Sequence, residues 1–106
     1  MTDAIQVVTT APTRDVAQKI ATALVERGLA ACAQVVCGPI RSTYRWKGRI
    51  ETAEEWLCII KSRRELYVAV EAAIREMHPY ETPEILALPV EAGSADYLRW
   101  LKEETT

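Results

Sequence analysis

The chain has 106 residues, 49% hydrophobic and 26% charged, which fits one globular domain over residues 1–106 and excludes a disordered chain, whose apolar content is low. Thirteen Lys and Arg oppose fifteen Asp and Glu, for a net charge of -2 with the cations scattered, so nucleic acid is not an expected partner. The longest uncharged run, Gly28 to Ile40, has 13 residues, too few to cross a bilayer as a helix, and Met1 to Thr13 holds no Lys or Arg; a soluble cytoplasmic protein with no membrane partner is expected.

Ile5 to Thr9 reads as a short buried strand, after which Thr13 is placed to cap a helix. Val16, Ile20 and Leu24 recur every fourth residue along that helix, and Gly28 is its terminator. Leu29 to Val36 is apolar throughout, as in a strand covered on both faces. After the Gly38-Pro39 break, Arg41 to Glu51 alternates polar and aromatic residues across a Lys47-Gly48 turn, and EEWLCIIKS follows as the returning strand. Ser62 to Glu65 has the S-x-x-E form of a capping box, predicting a second helix with Leu66, Val70, Ile74 and Met77 on its buried stripe. Pro79 disfavours helical geometry at the residue before it, so this helix is predicted to stop near His78. Glu84 to Val90 reads as a last strand, and Ser94 caps a short helix through Leu101. The order β-α-β-β-α-β plus a terminal helix predicts an α+β, ferredoxin-like sandwich, with helices on one face of a four-stranded antiparallel sheet.

The hairpin between the second and third strands is long for such a domain. Fully extended, Ala30 to Lys47 would reach roughly 59 Å at about 3.3 Å per residue, whereas a domain of this size has a diameter near about 34 Å. Its tip is therefore expected to project, carrying Tyr44, Trp46, Ile50 and Trp56, and association with further copies is the simplest way to cover them.

No nucleophile elbow, phosphate loop or HExxH motif is present, so no enzyme activity is expected. The adjacent carboxylates Glu54-Glu55 and Glu103-Glu104 read as surface residues rather than acid-base couples. The three cysteines, Cys32, Cys37 and Cys58, form no CxxC pair and read as reduced thiols. His78, the only histidine, has two readings: a helix-ending residue that bonds the last carbonyls of its helix and complements the helix dipole, or a metal ligand with Cys32 or Met77 as soft companions. Tyr44, Trp46 and Trp56, with Arg45 and Glu51 nearby, suit either a ligand pocket or an interface.

Four separated stretches, LVERGLAACAQV, STYRWKGRIETAEEWLCIIKS, HPYETPEILALPV and DYLRWL, together resemble the CutA family of divalent-cation tolerance proteins. The resemblance implies a homotrimer with strands extended between subunits and a role in tolerance of copper and other divalent ions. It also implies an intersubunit cleft near Tyr44, Trp46, Glu51 and Trp56, approached by His78 and Tyr80. Family positions associated with copper correspond here to Thr9, Met77 and His78, so only the last keeps an imidazole. A bound copper or other divalent cation is the only cofactor expected, and no organic cofactor is. The alternative is a trimeric signalling module similar to the PII proteins, which bind small effectors or partner proteins.

Overall fold

Antiparallel pairing organises the chain around one strand much longer than its neighbours. The structure, a computed structural model, describes residues 2–106; Met1, the first residue of the expected 1–106 domain, lies outside the described residues. The elements run β1 (Ala4–Ala11), α1 (Arg14–Glu26), β2 (Cys32–Val35), β3 (Ile40–Trp46), β4 (Arg49–Arg63), α2 (Tyr67–Met77), β5 (Ile85–Pro89) and α3 (Ala95–Glu103). The sheet order is β2-β4-β1-β5, and β3 continues the β2 side of β4. This is the ferredoxin-like order expected from the sequence.

The inner half of β4 pairs with β1, from Ala11↔Trp56 to Ala4↔Arg63, while its outer half pairs only with β3. That outer half is the projecting arm. Lys47 and Gly48 both take positive φ, 50° and 80°, as a two-residue type I′ hairpin turn requires, so Trp46 stands opposite Arg49. The molecule extends 44 Å along its longest axis against 26 and 25 Å across. The arm projects as expected, although a break at residues 36–39 divides its first strand into β2 and β3.

Helices α1 and α2 cover one face of the sheet. Ile5, Val7, Cys58 and Ile60 from the strands meet Ile20, Leu24, Val70 and Ile74 from the helices in one buried cluster. The Thr13 hydroxyl accepts from the Val16 amide and caps α1. At its other end Gly28 takes φ 71°, with its amide on the Val25 carbonyl and the Leu29 amide on that of Leu24, the paired bonds of a Schellman motif. A Cβ at Gly28 would lie 2.7 Å from the Thr106 hydroxyl, so glycine serves the close approach as well as the turn.

Two sequence expectations are corrected here. Ser62 caps no helix: it lies within β4, fully buried, and donates to the Leu29 carbonyl at 2.6 Å. One turn of 3-10 helix, Arg64–Leu66, intervenes before α2, and Glu65 pairs with Arg63 instead of closing a box. The apolar stretch Leu29 to Val36 contributes only four strand residues, and they are not covered on both faces within this chain. β2 is an edge strand, and the cover its composition implies is not supplied by the chain itself.

The second sheet face is largely open. Alternation along the strands places Val8, Leu57, Ile59, Leu86 and Leu88 on it, with Leu86 58% and Leu88 48% exposed. Only α3 occupies this side, packing Leu101 against Ala4 and Ala31 at one end, with the Ser94 hydroxyl capping its first turn as expected. Among the described residues no helix is long and apolar enough to cross a membrane.

Candidate functional site

Pro79 stops α2 where the sequence indicates. His78 is its C-cap, with extended geometry (φ -87°, ψ 131°), and its amide still closes the last turn onto the Ile74 carbonyl at 2.9 Å. The chain then passes the Thr10–Ala11 end of β1 before β5 begins opposite Thr9. This passage turns the imidazole inward, where it is only 8% exposed.

Both ring nitrogens are engaged. Nε2 lies 2.7 Å from the Thr10 carbonyl oxygen, and the Tyr80 amide donates to Nδ1 at 3.2 Å. Only the neutral tautomer with its proton on Nε2 satisfies both contacts. His78 thus ties the end of α2 to the end of β1, and its ring lies 4.7 Å from that of Tyr80. His78 ends α2 as expected, but its ring bonds the Thr10 carbonyl of β1 rather than the last carbonyls of its own helix.

Tyr80 reaches the root of the arm. Burial, a hydrogen bond to the Glu55 carboxylate and the nearby charge of Glu55, with a smaller contribution from Tyr44, push its phenol up to about 12. Glu55 is 7% exposed whereas Glu54 is exposed, so the surface reading of this pair fails for one member. The alternation that carries Leu57 and Ile59 to the open face carries Glu55 there as well, and that pattern in β4 was the available signal. Tyr44 stands opposite Glu51 in register and so shares its face. The site therefore gathers Tyr44, Glu55, His78 and Tyr80 where the arm leaves the body, and Glu51 lies on the same face four residues farther out along β4. Trp46 sits at the tip, and strand alternation turns Trp56 to the opposite face from Tyr44 and Glu51.

The sulfur groups lie elsewhere. Cys32 is in register with Lys61, itself opposite Gln6, so it lies two strands across and four residues along from Thr10, about 16 Å away. Its Sγ lies 3.5 Å from the Tyr97 hydroxyl. Burial pushes the Cys58 thiol up to about 11, and Met77 packs against the main core. Among the described residues no three of His, Cys, Asp and Glu come together as a metal-holding group. The residues of one chain do not fit a copper site: His78 has no free nitrogen, and its proposed companion Cys32 is remote.

The fold and site define a small ferredoxin-like protein whose polar cluster borders an open sheet face and a projecting arm. A family model described as CutA1 divalent ion tolerance protein matches residues 5–104, and the chain belongs to that family. It is 41% identical to the divalent-cation tolerance protein CutA of Thermus thermophilus, over 93% of this chain and 95% of the relative. A solved structure of the divalent cation tolerance protein from Thermus thermophilus superposes with TM-score 0.94 at 40% identity, covering 97% of this chain and 99% of that one. Human protein CutA is 45% identical over 91% of this chain, which spans only 53% of that relative's length. A structure described as the periplasmic divalent cation tolerance protein CutA from Archaeoglobus fulgidus gives TM-score 0.91 at 39% identity, covering 95% of this chain and 97% of that one. These matches favour the CutA reading over a PII-like signalling module.

Proposed function

We propose that the chain acts as a non-enzymatic homotrimer in tolerance of copper and other divalent cations, binding such ions weakly in a cleft between copies. The observation that carries this reading is a polar cluster, Glu55, Tyr80 and His78, bordering a sheet face on which Leu86 and Leu88 stay about half exposed. Burying that face against copies of itself removes apolar surface from water and brings further donors to a site that one chain leaves incomplete.

Weakness follows from the imidazole. An ion at Nδ1 displaces the Tyr80 amide, and one at Nε2 displaces the Thr10 carbonyl. Either exchange leaves a backbone group unpaired at a cost of about 1–3 kcal/mol, roughly a tenfold to hundredfold loss of affinity. The three free thiols, Cys32, Cys37 and Cys58, support a reducing, cytoplasmic setting.

Isothermal titration with Cu(II) tests the ion-binding part. The intact protein is expected to give a weak isotherm that His78→Ala diminishes further. Isotherms of equal strength would remove His78 from the site.

A further inference from the structure

One lysine interrupts the open sheet face. Alternation from Leu57 and Ile59 places Lys61 of β4 there, half-buried, in a row with Cys32 of β2, Gln6 of β1 and Leu88 of β5. Its Nζ donates to Gln34 Oε1 at 3.1 Å and forms no ion pair with a described residue. Strands β1, β2 and β5 contain no carboxylate. The nearest one along β4 on this face is Glu55, six residues back from Lys61 and about 20 Å away. An ammonium half removed from water beside only a neutral amide is left with its charge to be neutralised.

Helix α3 borders the same point. The Tyr97 hydroxyl lies 3.5 Å from Sγ of Cys32, which stands opposite Lys61. The Trp100 ring is centred 5.5 Å from that of Tyr97, tilted by 46°. Both rings stay in part exposed, Tyr97 at 42% and Trp100 at 40%, although the helix packs Leu101 onto Ala4 and Ala31. Asp96, the carboxylate next to Tyr97, pairs with Arg99 at 3.4 Å. Gln34 spends its oxygen on Lys61, so its amide N–H groups, unpartnered among the described residues, remain to donate. Two neighbouring donors, one of them charged, thus stand beside bare aromatic surface.

We propose that Lys61 and Gln34 form an anion subsite on the open face, taking a small planar carboxylate whose body lies against Tyr97 and Trp100. The single charge of the ammonium matches one carboxylate, and two adjacent donors suit its two oxygens. A phosphate dianion would leave charge unmatched, and a short aliphatic acid would leave the rings in water. The inference goes beyond the ion-tolerance reading and uses none of Glu55, Tyr80 and His78. Covering the face with further copies, as the homotrimer reading has it, takes Lys61 further from water and makes a counter-charge more necessary.

Isothermal titration with benzoate tests the subsite, with acetate and inorganic phosphate for comparison. Wild-type protein is expected to bind benzoate saturably and more tightly than either. Lys61→Gln is expected to weaken benzoate by about tenfold or more. Lys19→Gln, which removes the same charge from α1 on the other side of the sheet, is expected to leave it unchanged. Trp100→Leu is expected to bring benzoate down to the level of acetate. Sedimentation and circular dichroism of Lys61→Gln separate loss of the subsite from loss of assembly or fold, and Gln34→Leu provides the same comparison if Lys61→Gln does not fold. Benzoate binding by Lys61→Gln equal to that of wild type, or none by wild type, overturns the subsite while leaving the homotrimer standing. Tighter binding of phosphate than of benzoate overturns the assignment to a planar carboxylate.

Discussion

His78 Nε2 lies 2.7 Å from the carbonyl oxygen of Thr10, joining the end of α2 to the end of β1 across 68 residues of sequence. The imidazole is thereby a structural tie. Truncating it strands a buried carbonyl and frees the Tyr80 amide. His78→Ala is expected to cost about 2–4 kcal/mol in urea unfolding. A loss below about 0.5 kcal/mol, typical of surface changes, would show that the tie carries little of the fold.

Thr9 holds the one buried side-chain oxygen without a partner among the described residues. It is fully buried on β1, opposite Cys58 and Ile85. Replacing the hydroxyl by a methyl of similar shape removes a desolvated group that gains nothing from the fold. Thr9→Val is expected to raise stability by about 1 kcal/mol. Destabilisation of that size would mean that the hydroxyl has a partner in solution.

The Tyr80 phenol, pushed up to about 12 by burial and by Glu55, gives a pH signature. The folded state holds this proton more tightly than the unfolded chain, whose tyrosine titrates near its ordinary value of 10.0. Its contribution is complete below pH 10 and is lost as pH rises toward 12. Because Tyr80 is 37% exposed, solvent screens the effect, and phenolate absorbance is a more direct readout than stability. Tyr97, held by Cys32, is also pushed up to about 12, and burial with a hydrogen bond to Glu71 raises Tyr67, so three of the four tyrosines should ionise late. Glu55→Gln should bring one of them down toward its ordinary value, and an unchanged titration would dissolve the Glu55–Tyr80 link.

Features set by a few adjacent residues were legible in the sequence. Thr13 and Ser94 cap α1 and α3, Lys47-Gly48 makes the arm turn, and Pro79 ends α2 at His78, because each acts through bonds or sterics within a few positions. Ser62 misleads because S-x-x-E suits both a capping box and a strand, and the deciding contact is with Leu29, 33 residues away. Glu55 is masked by its neighbour Glu54: alternation separates the two onto opposite faces, and the register of β4 with β1 and β3 shows which face lies toward Tyr80. The apolar Leu29 to Val36 stretch reads as a strand covered on both faces, whereas only four of its residues form a strand, at the sheet edge.

Equilibrium sedimentation of the intact chain at micromolar concentration tests the central claim, that the open face and the arm belong to a homotrimer. The account predicts a single species of three times 11.9 kDa. A stable species of 11.9 kDa across the concentration range would contradict it, since Leu86, Leu88 and the arm would then remain in water in the working protein.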